Sequence, residues 1–138
     1  MKISPADTWF SRCVRERASW ACERCGKYYA PPTNALQCSH FVGRENYATR
    51  FEPLCAFSHC YSCHTFFHGN PHLFTDWAKE KLGIDLYDLL IEKSNDIDRG
   101  RLARRSKKAI AVYYKSEYER MLSVRAEGIT GRLEFVGW

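Results

Sequence analysis

Two C-x-x-C pairs constrain this chain more than any other feature: Cys22-Glu23-Arg24-Cys25, followed at once by Gly26, and Cys60-Tyr61-Ser62-Cys63. Each pair presents two thiolates from a turn to one ion, and four thiolates make a closed tetrahedral zinc site. Such a site ties two distant segments together before any core is considered. A redox C-x-x-C expects a βαβ context that these residues do not show. A Cys2His2 finger needs about twelve residues between its cysteines and first histidine. Here His64 follows Cys63 directly.

The thiols are expected to be reduced. No apolar run approaches the ~20 residues needed to span a bilayer, and the start, Met1-Lys2-Ile3-Ser4-Pro5, lacks the apolar core of a signal peptide. A cytoplasmic location follows as the expectation, with seven cysteines serving metal and core rather than disulfides. With 138 residues, 45% hydrophobic and 27% charged, the chain fits one soluble domain, 1–138. A net charge of +5 favours an anionic partner such as nucleic acid.

Local patterns supply the elements. Ser4-Pro5-Ala6-Asp7 reads as a helix start, with Ser4 as N-cap and Pro5 at the first helical position. Ala6, Trp9, Phe10, Cys13, Val14 and Arg17 then recur at helical spacing, predicting a helix over 5–19 with Cys13 as a core thiol. Residues 20–60 are rich in turn formers, and Ala35-Leu36-Gln37-Cys38 and His40-Phe41-Val42 suit a β-hairpin or two short strands. A two-turn helix is expected from about Ser62 to before Gly69. Pro71 opens another, which Gly83 ends, and Asp85 caps the next. A long helix is predicted from about Ile97 to Glu127, basic in its first half. The class is α+β, mostly helical.

Four sulfurs fill the zinc, which leaves the histidines beside it free. In a helix beginning at the second knuckle His64 points about 100° away from Cys63. His68 lies four residues on, so the two share a face and can hold one ion. His59 suits a supporting bond to a backbone carbonyl near the zinc, and His72 suits an exposed first turn.

A zinc knuckle opening a short helix with a histidine, after a β-hairpin that carries Ser39-His40, resembles the HNH nuclease superfamily with its ββα-metal fold. It is most similar to the phage recombination proteins of NinG type. The resemblance runs through Trp9-Phe10-Ser11-Arg12, Cys22-Glu23-Arg24-Cys25-Gly26-Lys27, Cys38-Ser39-His40-Phe41-Val42-Gly43-Arg44, Thr49-Arg50-Phe51, Cys60-Tyr61-Ser62-Cys63-His64 and Asn70-Pro71 with Trp77. It covers about residues 7–82. It implies an HNH core over about 20–72, between the helix at 5–19 and a basic helical region at 73–128.

The resemblance implies a metal-dependent DNA endonuclease with these roles. His40 is the general base; His64, with His68 as a further ligand, holds a catalytic divalent ion (Mg2+, Mn2+ or Zn2+); Cys22, Cys25, Cys60 and Cys63 hold the structural Zn2+. It also implies phage-type recombination or branched-DNA processing in a bacterial host cytoplasm. Two positions depart from the pattern. Ser39 stands where many HNH enzymes have an acidic or imidazole ligand, and Cys55 stands where NinG-like proteins have an asparagine. A thiol at 55 is expected to lack the two-sided hydrogen bonding by which an amide fixes the loop. Cys38 and Cys55 as members of a different ligand set form a minor alternative.

For DNA contact, Arg44 and Arg50 offer guanidinium forks to phosphate, unless they pair with Glu45 and Glu52. Arg101, Arg104, Arg105, Lys107 and Lys108 lie in a run without acids that can track a phosphate backbone. Phe135 and Trp138, expected to be exposed, are the hint of a homodimer. The competing class is a zinc-stabilised DNA-binding protein whose nuclease centre is weakened or lost. A zinc nucleobase deaminase is set aside, because His40 has Val42 rather than a glutamate two residues on.

Overall fold

In the computed structural model, which describes residues 2–138, Ser4 opens helix α1 (Pro5–Arg17) with the capping box its sequence promises. Ser4 Oγ accepts from Asp7 N–H at 3.4 Å, and the Asp7 carboxylate accepts from Ser4 N–H at 2.8 Å. The helix stops two residues short of the expected 19. Ser19 and Trp20 have φ of 54° and 59°, a left-handed turn that sends the indole of Trp20 back to Glu16.

The sheet is not the expected pairing of 35–38 with 40–42. Strand β1 (Leu36–His40) pairs antiparallel with β2 (Ala56–Cys60), from Leu36↔Cys60 to His40↔Ala56. β2 is buried along its whole length, so its sequence carries no alternation to announce a half-buried strand. Its two faces meet different partners. Ala56 joins the core under α1, whereas Phe57 and His59 pack with Phe67, Phe74 and Trp77.

Beyond β2 the chain is helical: α2 (Tyr61–Gly69), α3 (Pro71–Leu82), α4 (Ile84–Ser94), α5 (Ile97–Arg105) and α6 (Lys107–Ala126). Gly83, rather than Asp85, is the N-cap of α4, and Asp85 sits in its first turn, where a carboxylate favours the helix dipole. The single helix expected over 97–127 breaks at Ser106. α5 is drawn onto the loop after β1, where Gly100 comes so close that a Cβ would lie 3.3 Å from Ala48 N, and Arg99 donates to the Ala48 carbonyl at 3.1 Å. α6 instead runs along α1, so one straight helix cannot serve both surfaces.

The main core joins Phe10, Cys13, Val14, Phe51, Ile110, Tyr114, Met121 and Phe135. Smaller clusters surround Leu36 with Trp20 and Phe57 with Phe74. Residues 129–138 form no strand; they lie extended over the main core. Leu133 N–H donates to the Arg17 carbonyl, and Trp138 N–H to Tyr114 Oη at 3.1 Å. Phe135, expected to be exposed, is instead 5% exposed, and Trp138 is partly buried against the same core. No described helix is long and apolar enough to cross a membrane.

Candidate functional site

The two knuckles meet as their spacing requires. Cys22 N–H donates to the Lys27 carbonyl and Gly26 N–H to the Cys22 carbonyl, closing a turn in which Gly26 takes φ 78°. Cys60 is the N-cap of α2 and Cys63 lies in its first turn. Glu23 N–H donates to the Ser58 carbonyl, and the Glu23 carboxylate accepts from Ser58 N–H, locking the first knuckle onto β2. The sulfurs of Cys22, Cys25, Cys60 and Cys63 all lie within 4.8 Å of one another, with Cys25 and Cys60 at 3.8 Å. A tetrahedron of Zn–S bonds has edges of about 3.8 Å. This cluster could therefore hold a metal such as zinc.

The chemistry of the donors agrees. Burial opposes ionisation of Cys22, but the backbone N–H groups of Cys25, Cys60 and Arg24 outweigh it and bring the thiol down to about 7. Burial pushes Cys63 up to about 12. A cation is what lets all four ionise together, so metal uptake releases protons. Arg24, between the first two cysteines, was not legible as a site residue. It donates to Cys63 Sγ at 3.4 Å while its guanidinium lies 4.0 Å from the Phe66 ring centre, linking the first knuckle to α2.

α2 also carries the two histidines expected to share a face. His64 and His68 share a face with ring centres 5.1 Å apart, and His64 Nδ1 lies 3.1 Å from the Oγ of buried Ser39 on β1. Burial, and then neighbouring His68, hold the His64 imidazole below its ordinary value, in the neutral form that a metal needs. The serine that departs from the HNH pattern thus orients the histidine next to it in space.

His40 is not brought to this pair. It follows Ser39 in a strand, so its side chain leaves from the other face of the sheet. Its ring lies 6.0 Å from Phe10 of α1, and Nε2 is 2.9 Å from the Arg50 carbonyl. The bond fixes the tautomer, with Nε2–H as donor and Nδ1 left as the basic atom. Burial holds His40 below its usual value.

Arg50 is corrected as a phosphate clamp. Its side chain is 2% exposed and closes a bidentate pair with Asp7, Nε–Oδ1 2.9 Å and Nη2–Oδ2 2.7 Å. The N-terminal turn of α1 presents the carboxylate that captures it. Arg44 stays partly exposed, with Nη2 3.8 Å from the same carboxylate, while Glu52 pairs with Lys93 and Arg99 rather than with either arginine. Arg101, Arg104, Arg105, Lys107 and Lys108 are exposed around the α5–α6 break, and Arg104 and Lys107 reach over the Tyr47 ring at 5.2 and 5.8 Å.

Cys55 also corrects an expectation. Its buried sulfur accepts from Val42 N–H at 3.3 Å and donates to the Val42 carbonyl at 3.5 Å, so the thiol does tie the loop on both sides. Burial pushes it up to about 11, and it and Cys38 stand outside the four-sulfur cluster. Among the described residues His59 meets no carbonyl: it is fully buried with neither ring nitrogen partnered, 4.9 Å from Trp77 and 5.2 Å from Phe67 between ring centres, and burial drives it down to about 3. His72 is exposed, as expected. Comparison of the chain with protein-family models, with curated proteins and with solved structures gives no match.

Proposed function

We propose that this protein is a metal-dependent DNA endonuclease of HNH type that hydrolyses phosphodiester bonds. One observation carries the reading. His64 and His68 stand together on a short helix that is anchored by a four-cysteine cluster and backed by a two-stranded sheet, and that sheet's Ser39 meets His64. This arrangement supports a reading of the segment as a ββα-metal unit.

In this reading His64, its Nδ1 engaged by Ser39, and His68 would hold a divalent ion. That ion, Mg2+, Mn2+ or Zn2+, would supply polarisation of the scissile phosphate. His40, whose Nε2–H is held by the Arg50 carbonyl, would serve as the base at Nδ1 only for a phosphate that also reaches the α1 face of the sheet, opposite the His64–His68 pair. The exposed cations of α5 and α6, with Arg44, contact the DNA backbone without reading sequence. A role in phage-type recombination or branched-DNA processing, in a bacterial host cytoplasm, rests on the resemblance alone.

A specific observation favours a second reading, a zinc-stabilised DNA-binding protein with a weakened centre: His40 and the His64–His68 pair leave opposite faces of the sheet. Incubation of supercoiled plasmid and branched DNA with Mg2+ or Mn2+ separates the two. The nuclease reading expects nicking by wild type that His40→Ala and His64→Ala each reduce at least a hundredfold. Binding without cleavage in any metal supports the second reading, and equal nicking by all three proteins refutes the first.

A further inference from the structure

On the α1 side of the sheet, away from His64 and His68, lies a cavity of about 300 Å3 bounded by Asp7, Ser11 and Arg15 of α1, Cys38 and His40 of β1, and Arg44. That is roughly ten times the ~30 Å3 share of a water molecule. Its polar lining is unfinished. Arg15 Nε, Arg44 Nη2 and His40 Nδ1 are all buried, and none has a hydrogen-bond partner among the described residues. Arg15 spends one Nη on Ser11 Oγ at 3.3 Å and its guanidinium lies 5.5 Å from the Trp20 ring centre, but among the described residues it meets no carboxylate, and burial lowers its hold on its proton.

The charge is unbalanced as well. Asp7 is the acid of the lining, and its carboxylate already receives Arg50 by both oxygens and Ser4 by N–H and Oγ–H. Arg44 reaches it at 3.8 Å, too far for a hydrogen bond. Burial holds Cys38 as a neutral thiol, its pKa pushed up to about 12. Two guanidinium groups therefore line one cavity with donors in excess of acceptors: Asp7 is already taken by Arg50 and Ser4, and it meets Arg44 only as a loose ion pair at 3.8 Å. An unpaired buried donor is costly, and planar guanidinium forks fit the oxygens of a tetrahedral oxyanion better than any neutral ligand.

We propose that the cavity between α1 and β1 is a binding site for a phosphate group, gripped by Arg15 and Arg44 with His40 Nδ1 beside it. The phosphate is either that of a small phosphate or phosphomonoester, or one within a DNA strand. The site lies on the face opposite the His64–His68 pair and does not depend on a metal there.

The test uses the full-length, zinc-loaded protein at constant ionic strength. The His40 imidazole is followed by 1H–15N NMR during titration with inorganic phosphate, thymidine 5′-monophosphate, and a short oligonucleotide with and without a 5′-phosphate. A saturable shift of His40, with exposed His72 unmoved, is expected from at least one of them. Response to the small ligands assigns a free phosphate or monoester, and response to both oligonucleotides alone assigns a phosphodiester. Arg15→Gln and Arg44→Gln each weaken the interaction about tenfold or more, Arg15→Lys less, and His64→Ala leaves it unchanged even where it abolishes cleavage. A His40 signal indifferent to every phosphate at tens of millimolar, or equally moved by chloride, overturns the site. So does a folded Arg15→Gln protein that binds as wild type does.

Discussion

Replacing Asp7 by alanine should be the most damaging single change outside the metal cluster. The carboxylate accepts from Arg50 at 2.9 and 2.7 Å and from Ser4 N–H at 2.8 Å, and Arg50 is 2% exposed. Removing the partner of a buried charge costs about 3–5 kcal/mol, and loss of a capping box contributes about 1 kcal/mol within that range. For a chain of this length the fall in Tm is about 10–15 °C. Arg50→Met removes the charge that Asp7 pairs with. The double variant should therefore be more stable than the sum of the single losses implies, by about 2 kcal/mol or more. Urea unfolding of wild type, both singles and the double, with zinc in excess, gives the coupling directly. Additivity within about 0.5 kcal/mol would refute the claim that this pair, rather than general packing, holds α1 to the loop. The sign with pH is fixed as well. Burial works to raise the Asp7 carboxyl, but hydrogen bonds from Arg50 and Ser4 leave it below its usual value. Its contribution is then full above the unfolded value of about 4 and is lost as pH falls through the lower folded value, and Asp7→Ala should flatten that acid limb.

Metal analysis should find about one tightly bound zinc per chain, lost together with the fold in Cys22→Ser or Cys60→Ser, whereas Cys13→Ser keeps its zinc. Arg24→Ala, which strips the donor from Cys63 Sγ, should speed transfer of the metal to a chelator about 10-fold or more without changing the stoichiometry. Cys55→Ala should loosen the loop at Val42 and cost about 1–2 kcal/mol in urea unfolding. His59→Phe should be neutral or stabilising by about 1 kcal/mol, since it deletes two buried nitrogens that have no partner; marked destabilisation would show that His59 has a partner in solution.

Much of this fold could be read from local chemistry, because local chemistry sets it. The capping box at Ser4, the two knuckles with Gly26, the helix from the second knuckle and the Gly83 boundary each depend on residues within a few positions of one another. Errors arise where distant surfaces decide. β2 shows no alternation because helices cover both its faces. The break at Ser106 comes from α5 docking on Ala48 and α6 on α1, neither of which is visible in a helical propensity. Phe135 and Trp138 look like interface residues only until the tail is folded back over Tyr114.

The site divides along the same line. The four cysteines converge as their spacing signals, and His64 and His68 share one helix face, yet the strand's alternation places His40 on the other side of the sheet from them. Arg50 shows why residue type alone misleads. An arginine suits a phosphate and a buried carboxylate equally well, and the choice is made by Asp7, which is 43 residues away in sequence and 2.7 Å away in space. Capturing Arg50 also fixes the residue whose carbonyl receives His40 Nε2–H, so α1 decides which nitrogen of His40 is basic. Asp7→Ala should accordingly change the tautomer balance of His40 in 15N spectra, even at temperatures well below unfolding. A His40 signal unchanged in the folded variant would place control of that tautomer in the loop itself, where Cys55 ties Val42.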